Sequence, residues 1–294
     1  MATSGRDDRN LAQYERDQLN AIELWKNEEP SVVSKALGLI VEPLAWLIRK
    51  VVPESAIMGA LSLSDAAAVW MTDTADVLRD GRVERIEDLI GKDLKLSDGM
   101  ADQVHNWAIG IGATEGVGTG VFGIFGAPVD VPAIITLALR TIHKIGVCYG
   151  YECKTQADEQ FARGILSASG ANSMEEKLAS LTTLTAIKTI LIKQTWKAMA
   201  GKATQSQFSK EAAVIMLRNL AKQLGVNITK RKALAAIPVI GALVGGSVNA
   251  WYIKDVGWAA RRNFQERWLR DSGKLSNIAL ELGGDNWSEP QNIT

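Results

Sequence analysis

The 294-residue chain has few of the side chains that build chemistry: two cysteines and two histidines. Two thiols make no disulfide framework, and two imidazoles put the usual all-protein zinc sets out of reach. No metal and no cofactor are expected. Seven prolines are scattered along the chain, and no alternating apolar run brackets an Asn-Gly or Asp-Gly pair, so β-hairpins have no signal. Neither sign of charge is in excess, with 33 basic and 33 acidic side chains. A general nucleic-acid binder would be basic, so no nucleic-acid partner is expected. GxxxxGK[ST] and GxSxG do not occur, which removes the P-loop and the nucleophile elbow.

What the chain does have is apolar residues at helical spacing, 47% of its length counting all of them. Leu11, Tyr14, Ala21, Ile22 and Trp25 form one stripe, which Pro30 ends. Further helices are expected over 31–51, over 54–79 with Asp65, Asp73 and Asp76 inside, near 174–199, around Ala213 to Leu224, and from Val256 to Trp268. Asp80-Gly81 reads as a turn between helices. The class is all-α: a single large helical domain over 10–270, with a flexible N-terminus at 1–9 and a mobile tail at 271–294. Met1 to Asn10 is polar, so no secretory leader is expected and a cytoplasmic location is.

Two stretches depart from ordinary helices and are expected to pack tightly together. Residues 108–142 hold seven glycines between 110 and 126. Each costs about 1 kcal/mol against alanine in a helix, so the run needs a reason. Gly112, Gly116 and Gly120, four apart with Ala108, share a helix face nearly free of side chains. A second helix or a lipid tail could come close there. Residues 233–253 are 21 uncharged positions bracketed by Lys230-Arg231-Lys232 and Lys254. Pro238, Gly241, Gly245, Gly246 and Asn249 argue for a buried hairpin or re-entrant segment rather than a spanning helix.

Charge is balanced overall but not along the chain. Residues 1–100 carry net −6, and residues 186–254 carry net +10 with Glu211 the only acid. Nine of 18 aromatics are tryptophan, and Trp251 and Trp258 stand beside Lys254, Arg261 and Arg262. Indole beside cations is the composition of an interfacial element. The candidate apolar groove is therefore Gly112, Gly116, Gly120, Phe122, Phe125, Gly241 and Gly245. Candidate headgroup contacts are Lys230, Arg231, Lys232, Trp251, Trp258, Arg261 and Arg262.

Three chemical readings carry less weight. Gly118-Thr-Gly120-Val-Phe-Gly123 spells GxGxxG, but no strand precedes it. His143, Cys148 and Cys153, five apart, do not share one helix face, though His143 and Cys148 could form a nucleophile pair. Glu115 and Asp130 stand in apolar surroundings as buried-charge candidates, with Arg140 a partner for Asp130. The alternative for Asp130 is a cap on a helix starting near Pro132.

YERDQLNAIELW near the start, GTGVFGIFGAPVDVPAIITLALRTIHKIGVCYGYE in the middle and IPVIGALVGGSVNAWYI near the end together resemble the EcsC-like family over about 14–268. The resemblance implies a bacterial helical protein with no settled activity and supplies no catalytic residues. Its founding member is encoded beside an ABC-type exporter, which makes a membrane transporter an alternative partner. The leading expectation is a non-enzymatic protein peripheral to the inner membrane that binds lipid or another apolar ligand. An adaptor docking on a transporter or other protein, and a hydrolase, are the alternatives.

Overall fold

The computed structural model describes residues 11–29, 61, 73–120, 127–171, 173–199 and 238–275; within these, the side chains of 115–120, 127–132, 192–199 and 238–248 are outside the description. Among the described residues there are seven α-helices and no strand: α1 (Gln13–Asn27), α2 (Ala75–Gly81), α3 (Leu94–Gly120), α4 (Ala127–Cys148), α5 (Gln156–Ser169), α6 (Met174–Met199) and α7 (Pro238–Asp271), with a 3-10 turn at Ile86–Gly91. The all-α class is as read from periodicity, and α6 falls where the leucine spacing put it. The helices expected over 31–51 and around 213–224, and the tail beyond 275, lie outside the described residues.

Three expectations are corrected. Asp73 and Thr74 are not helical, so the helix expected over 54–79 does not run through; α2 starts afresh at Ala75. Asp130 lies inside α4, which starts at Ala127, so it does not cap a helix starting near Pro132. Pro128 falls in the first turn, where a missing N–H costs nothing. Residues 238–253 are the first half of a 34-residue helix running on to Asp271, not a separate hairpin. Pro238 opens that helix as a first-turn residue. The glycines after it cost about 1 kcal/mol each, which weakens a helix without ending it.

The bundle is organised on an antiparallel pair, α3 with α7. Its register is read from four contacts. Asp98 accepts from Gln265 (2.7 Å), Asp102 pairs with Arg261 (2.6 Å), His105 Nε2 donates to the Lys254 carbonyl (3.0 Å), and Gly112 lies against Asn249 and Ile253. A methyl group on Gly112 would stand 3.2 Å from the Asn249 carbonyl oxygen, so the backbones approach closely there. α4 runs antiparallel to α3, with Tyr149 beside Asp98 at one end and Arg140 over the Trp107 ring at the other.

The C-terminal half of α7 is buried among its neighbours although it is polar. Phe264 stacks with Tyr149 and Tyr151 and meets the Phe161 edge. Most buried polar side chains there are hydrogen-bonded, as burial requires, although Asn263 Oδ1 and the Nε of Arg261 and Arg270 meet no hydrogen-bond partner among the described residues. Asp98 takes hydrogen bonds from Tyr14 (2.6 Å), Tyr149 and Gln265, tying α1, α3, α4 and α7 at one carboxylate. Glu266 binds Lys188 (2.6 Å), Lys26 (3.1 Å) and Arg270 (2.9 Å). Asp158 closes the α5 N-terminus by a reciprocal bond with Thr155 and also holds Arg267 at 3.2 Å.

Both histidines are buried. Burial pushes His143 down to about 4, and it pushes His105 down to about 4 despite the Lys254 carbonyl. The unfolded chain therefore protonates first, from about pH 6.5 downward. Stability is whole above that value and is lost as pH falls toward 4, by roughly 3 kcal/mol for His143 alone. Urea melts at half-unit pH steps should show this slope, reduced by about one proton in His143→Phe. A wild-type slope near zero between pH 6.5 and 4 would contradict it.

Candidate functional site

The antiparallel register of α3, α4 and α7 brings three charge-poor segments to one end of the bundle. Residues 107–120 of α3 carry only Glu115, residues 127–139 of α4 carry only Asp130, and residues 238–253 of α7 carry no charge. At 1.5 Å per residue each segment is about 20 Å long or slightly more. Charge returns at Arg140 on α4 and Lys254 on α7, and α3 is polar before Trp107. Trp107 on α3 is 50% exposed and Trp251 on α7 is 36% exposed near where these segments meet the charged parts of their helices, and Leu24 on α1 is 73% exposed; Leu96 and Leu178 are the other large apolar side chains exposed among the described residues.

A groove of about 460 Å³ opens on the boundary between the end of α1, the start of α6 and the middle of α7. Trp25, Trp251 and Trp258 line it with Leu24. Lys177, Lys254 and Arg262 supply cations; Glu28, Glu29 and Asp255 supply carboxylates. Lys177 closes the C-terminal end of α1: its Nζ donates to the carbonyls of Trp25 and Glu28 (2.7 Å) and stands over the Trp25 ring at 4.7 Å. The Trp258 ring is packed by Arg261 (4.6 Å), Arg262 (4.9 Å) and the edge of His105 (5.5 Å). Arg262 donates to the amide oxygens of Gln18 (3.0 Å) and Gln265 (2.9 Å).

The structure thus brings Trp251, Trp258 and Arg262 together in the groove lining, while Arg261 is outside that lining but on the same Trp258 ring. Arg261 is 8% exposed and pairs with Asp102, whose own side chain is 54% exposed. Gly112 lies at the α3–α7 contact, where a neighbouring helix occupies its bare face. Gly116, Gly120, Gly241 and Gly245 are on the helical segments named above, but their surroundings, like the side chains of Glu115 and Asp130, lie outside the description. So do Phe122, Phe125, Lys230, Arg231 and Lys232. Arg140 is no partner for Asp130: ten residues along one helix separate them by about 15 Å, beyond the reach of the two side chains. It lies over Trp107 at 5.1 Å instead, beside a second cavity of about 420 Å³ rimmed by Asp73, Asp76 and Asp80.

Cys148 lines that second cavity, and burial pushes its thiol up to about 12, the opposite of what covalent catalysis requires. Its sequence neighbour His143 is held neutral by burial, and its Nε2 meets no hydrogen-bond partner among the described residues. No three His, Cys, Asp or Glu side chains among the described residues converge as a metal site. The glycines Gly118 and Gly120 end helix α3, with no strand before them. Sequence reasoning missed the acidic side of the groove, Glu28, Glu29 and Asp255, and the role of Lys177. No local pattern announces them, because the groove joins residues more than 200 positions apart.

A model of the EcsC protein family matches residues 16–269. The uncharacterized protein YdbA of Bacillus subtilis is 26% identical over 200 residues, which is 67% of this chain and 67% of that protein. Protein EcsC of the same bacterium is 24% identical over 166 residues, 55% of this chain, and the match spans 59% of its length. No solved structure matches the chain.

Proposed function

Within the EcsC protein family, to which this chain belongs, we propose for it the role of a non-enzymatic peripheral membrane protein that meets lipid with the charge-poor end of its bundle. One observation carries the reading: three helix segments of about 20 Å, with only Glu115 and Asp130 charged among them, come to the same end, near which Trp107, Trp251 and Leu24 are exposed. Half of a bilayer's hydrocarbon is about 15 Å thick, so segments of that length suit entry into one leaflet. No described helix is long and apolar enough to cross a membrane. Indole and cations at the boundary suit the headgroup layer, and Lys230, Arg231 and Lys232 precede the charge-poor half of α7 in sequence.

Vesicle flotation tests this. The bound fraction should rise with anionic lipid, at roughly 1 kcal/mol per engaged Lys or Arg, and fall with added salt. Full burial of a large apolar side chain contributes about 1.5–3 kcal/mol. The half-exposed Trp107 and Trp251, both changed to alanine, should therefore lower partitioning about tenfold. Binding indifferent to anionic lipid, to salt and to both tryptophans would end the membrane reading.

A further inference from the structure

The groove follows one stripe of α7. Trp251 is followed at three, four, seven and eleven residues by Lys254, Asp255, Trp258 and Arg262, so all five share a face. At 1.5 Å per residue the stripe is about 16 Å long. Ala21 and Trp25 of α1, with Ala168 at the end of α5, bound the other side with little bulk.

The charges of the groove are not equally available. Asp255 and Glu29 have partners of their own. Lys177 stands among the acidic groups: it donates to the Trp25 and Glu28 carbonyls, and Glu28 and Asp255 both favour its charge. The Trp25 ring carries Lys177, and the Trp258 ring carries Arg261 and Arg262. A positive group on a ligand would compete with cations already in place.

The opening left is for a negative group. Nη1 of Arg262 donates to the amide oxygens of Gln18 and Gln265, which fixes the guanidinium without neutralising it. Its Nε and Nη2 meet no hydrogen-bond partner among the described residues, and neither is sealed from solvent, whereas Nε of the neighbouring Arg261 is. Burial and Arg261 oppose the charge on Arg262, and Asp98 supports it. The unused edge carries two parallel N–H groups, the geometry that takes both oxygens of one carboxylate.

Charge and bulk bound the ligand. One fork matches one negative charge, and the carboxylates already in the groove make a second costly. A volume of about 460 Å³ is at the small end for ligand sites and suits one acyl chain, not two chains with a headgroup. An extended chain advances roughly 1.2 Å per bond, so about 14 carbons reach from Arg262 to Trp251.

We infer that the groove binds one long-chain fatty acid, its carboxylate on the Nε–Nη2 edge of Arg262 and its tail passing Trp258 to leave beside Trp251, where the charge-poor half of α7 ends. This goes beyond the membrane reading and does not depend on it.

Calorimetric titration of the delipidated full chain with tetradecanoate, at neutral pH and without vesicles, tests it. One tetradecanoate per chain is expected. Tetradecanol has the tail without the charge and should bind at least tenfold more weakly. Hexanoate has the charge with a short tail and should bind at least a hundredfold more weakly. Arg262→Gln should lower affinity at least tenfold, and Arg262→Lys should not restore it, since an ammonium keeps the charge and loses the fork. Ala21→Leu fills the groove while leaving Arg262 in place, and it should also cost at least tenfold, with thermal melts checking that it folds. Equal affinity for acid and alcohol, equal affinity for hexanoate, no binding, or wild-type affinity in Ala21→Leu would overturn the inference. Flotation, run separately, judges the membrane reading. A chain that floats and binds no tetradecanoate loses this inference alone; one that binds it and does not float loses the membrane reading alone.

Discussion

Glu266→Ala is expected to cost the bundle about 3–5 kcal/mol, the toll of leaving a buried cation without its counter-charge. Glu266 and Lys188 are 8% and 7% exposed at the side chain and lie 2.6 Å apart, with Lys26 and Arg270 on the other carboxylate oxygen. Alanine would leave three cations from α1, α6 and α7 around one cavity. Urea melts at neutral pH read the loss directly. Most of it should return in Glu266→Leu combined with Lys188→Met, because the penalty belongs to the orphaned charge and not to the missing pair. A single-variant loss below about 1 kcal/mol would mean that water reaches the cluster. Burial opposes the charge on Glu266, but Lys188, Lys26 and Arg270 overcome it and hold the carboxyl well below the usual carboxylate range. Its stabilisation is therefore complete at neutral pH and is lost only as pH falls below that range.

Gly257→Ala carries the second large effect, and its sign is the informative part. In an open helix the change would stabilise by about 1 kcal/mol. Here the added methyl group would stand 2.1 Å from Cδ2 and 2.2 Å from Nε2 of His105. The ring cannot easily retreat, since Nε2 donates to the Lys254 carbonyl and its edge meets Trp258. Overpacking of this kind costs about 1–3 kcal/mol, and here the upper end or more is expected, because relief also breaks a buried hydrogen bond. Thermal melts should show the loss in Gly257→Ala and its recovery when His105→Ala is added. Stabilisation by the single variant would mean that α3 and α7 lie farther apart than described.

Helix α6 was legible in sequence because its leucines recur every three to four residues along a half-buried face. Helix α7 was legible only in part. Its Val256, Ala260, Phe264 and Trp268 face was plain, yet the residues before it looked like a hairpin, since glycine and proline punctuate them. The element continues because Pro238 stands at its start, where proline fits, and the glycines behind it are individually cheap. The tryptophans were visible as a composition, and Trp251, Trp258 and Arg262 do meet in one groove. Arg261, next in sequence to Arg262, looked equivalent to it and is not. A step of one residue turns a helix by about 100°, which sends Arg261 to Asp102 on α3 while Arg262 reaches Gln18 on α1. Glu28, Glu29 and Lys177 had no sequence signal at all, because they work at a helix end and a crossing, where spacing along the chain says nothing.

Composition and the rhythm of apolar residues by themselves determined that the chain is helical and that two of its stretches carry almost no charge, because both properties are local. Tertiary packing alone decided that those stretches share one end of the bundle. That outcome depends on the antiparallel register of α3 and α7, held by pairs such as His105 with Lys254, 149 residues apart. Contacts at that separation are chosen by the summed fit of two helix surfaces, a quantity that no window of the sequence contains.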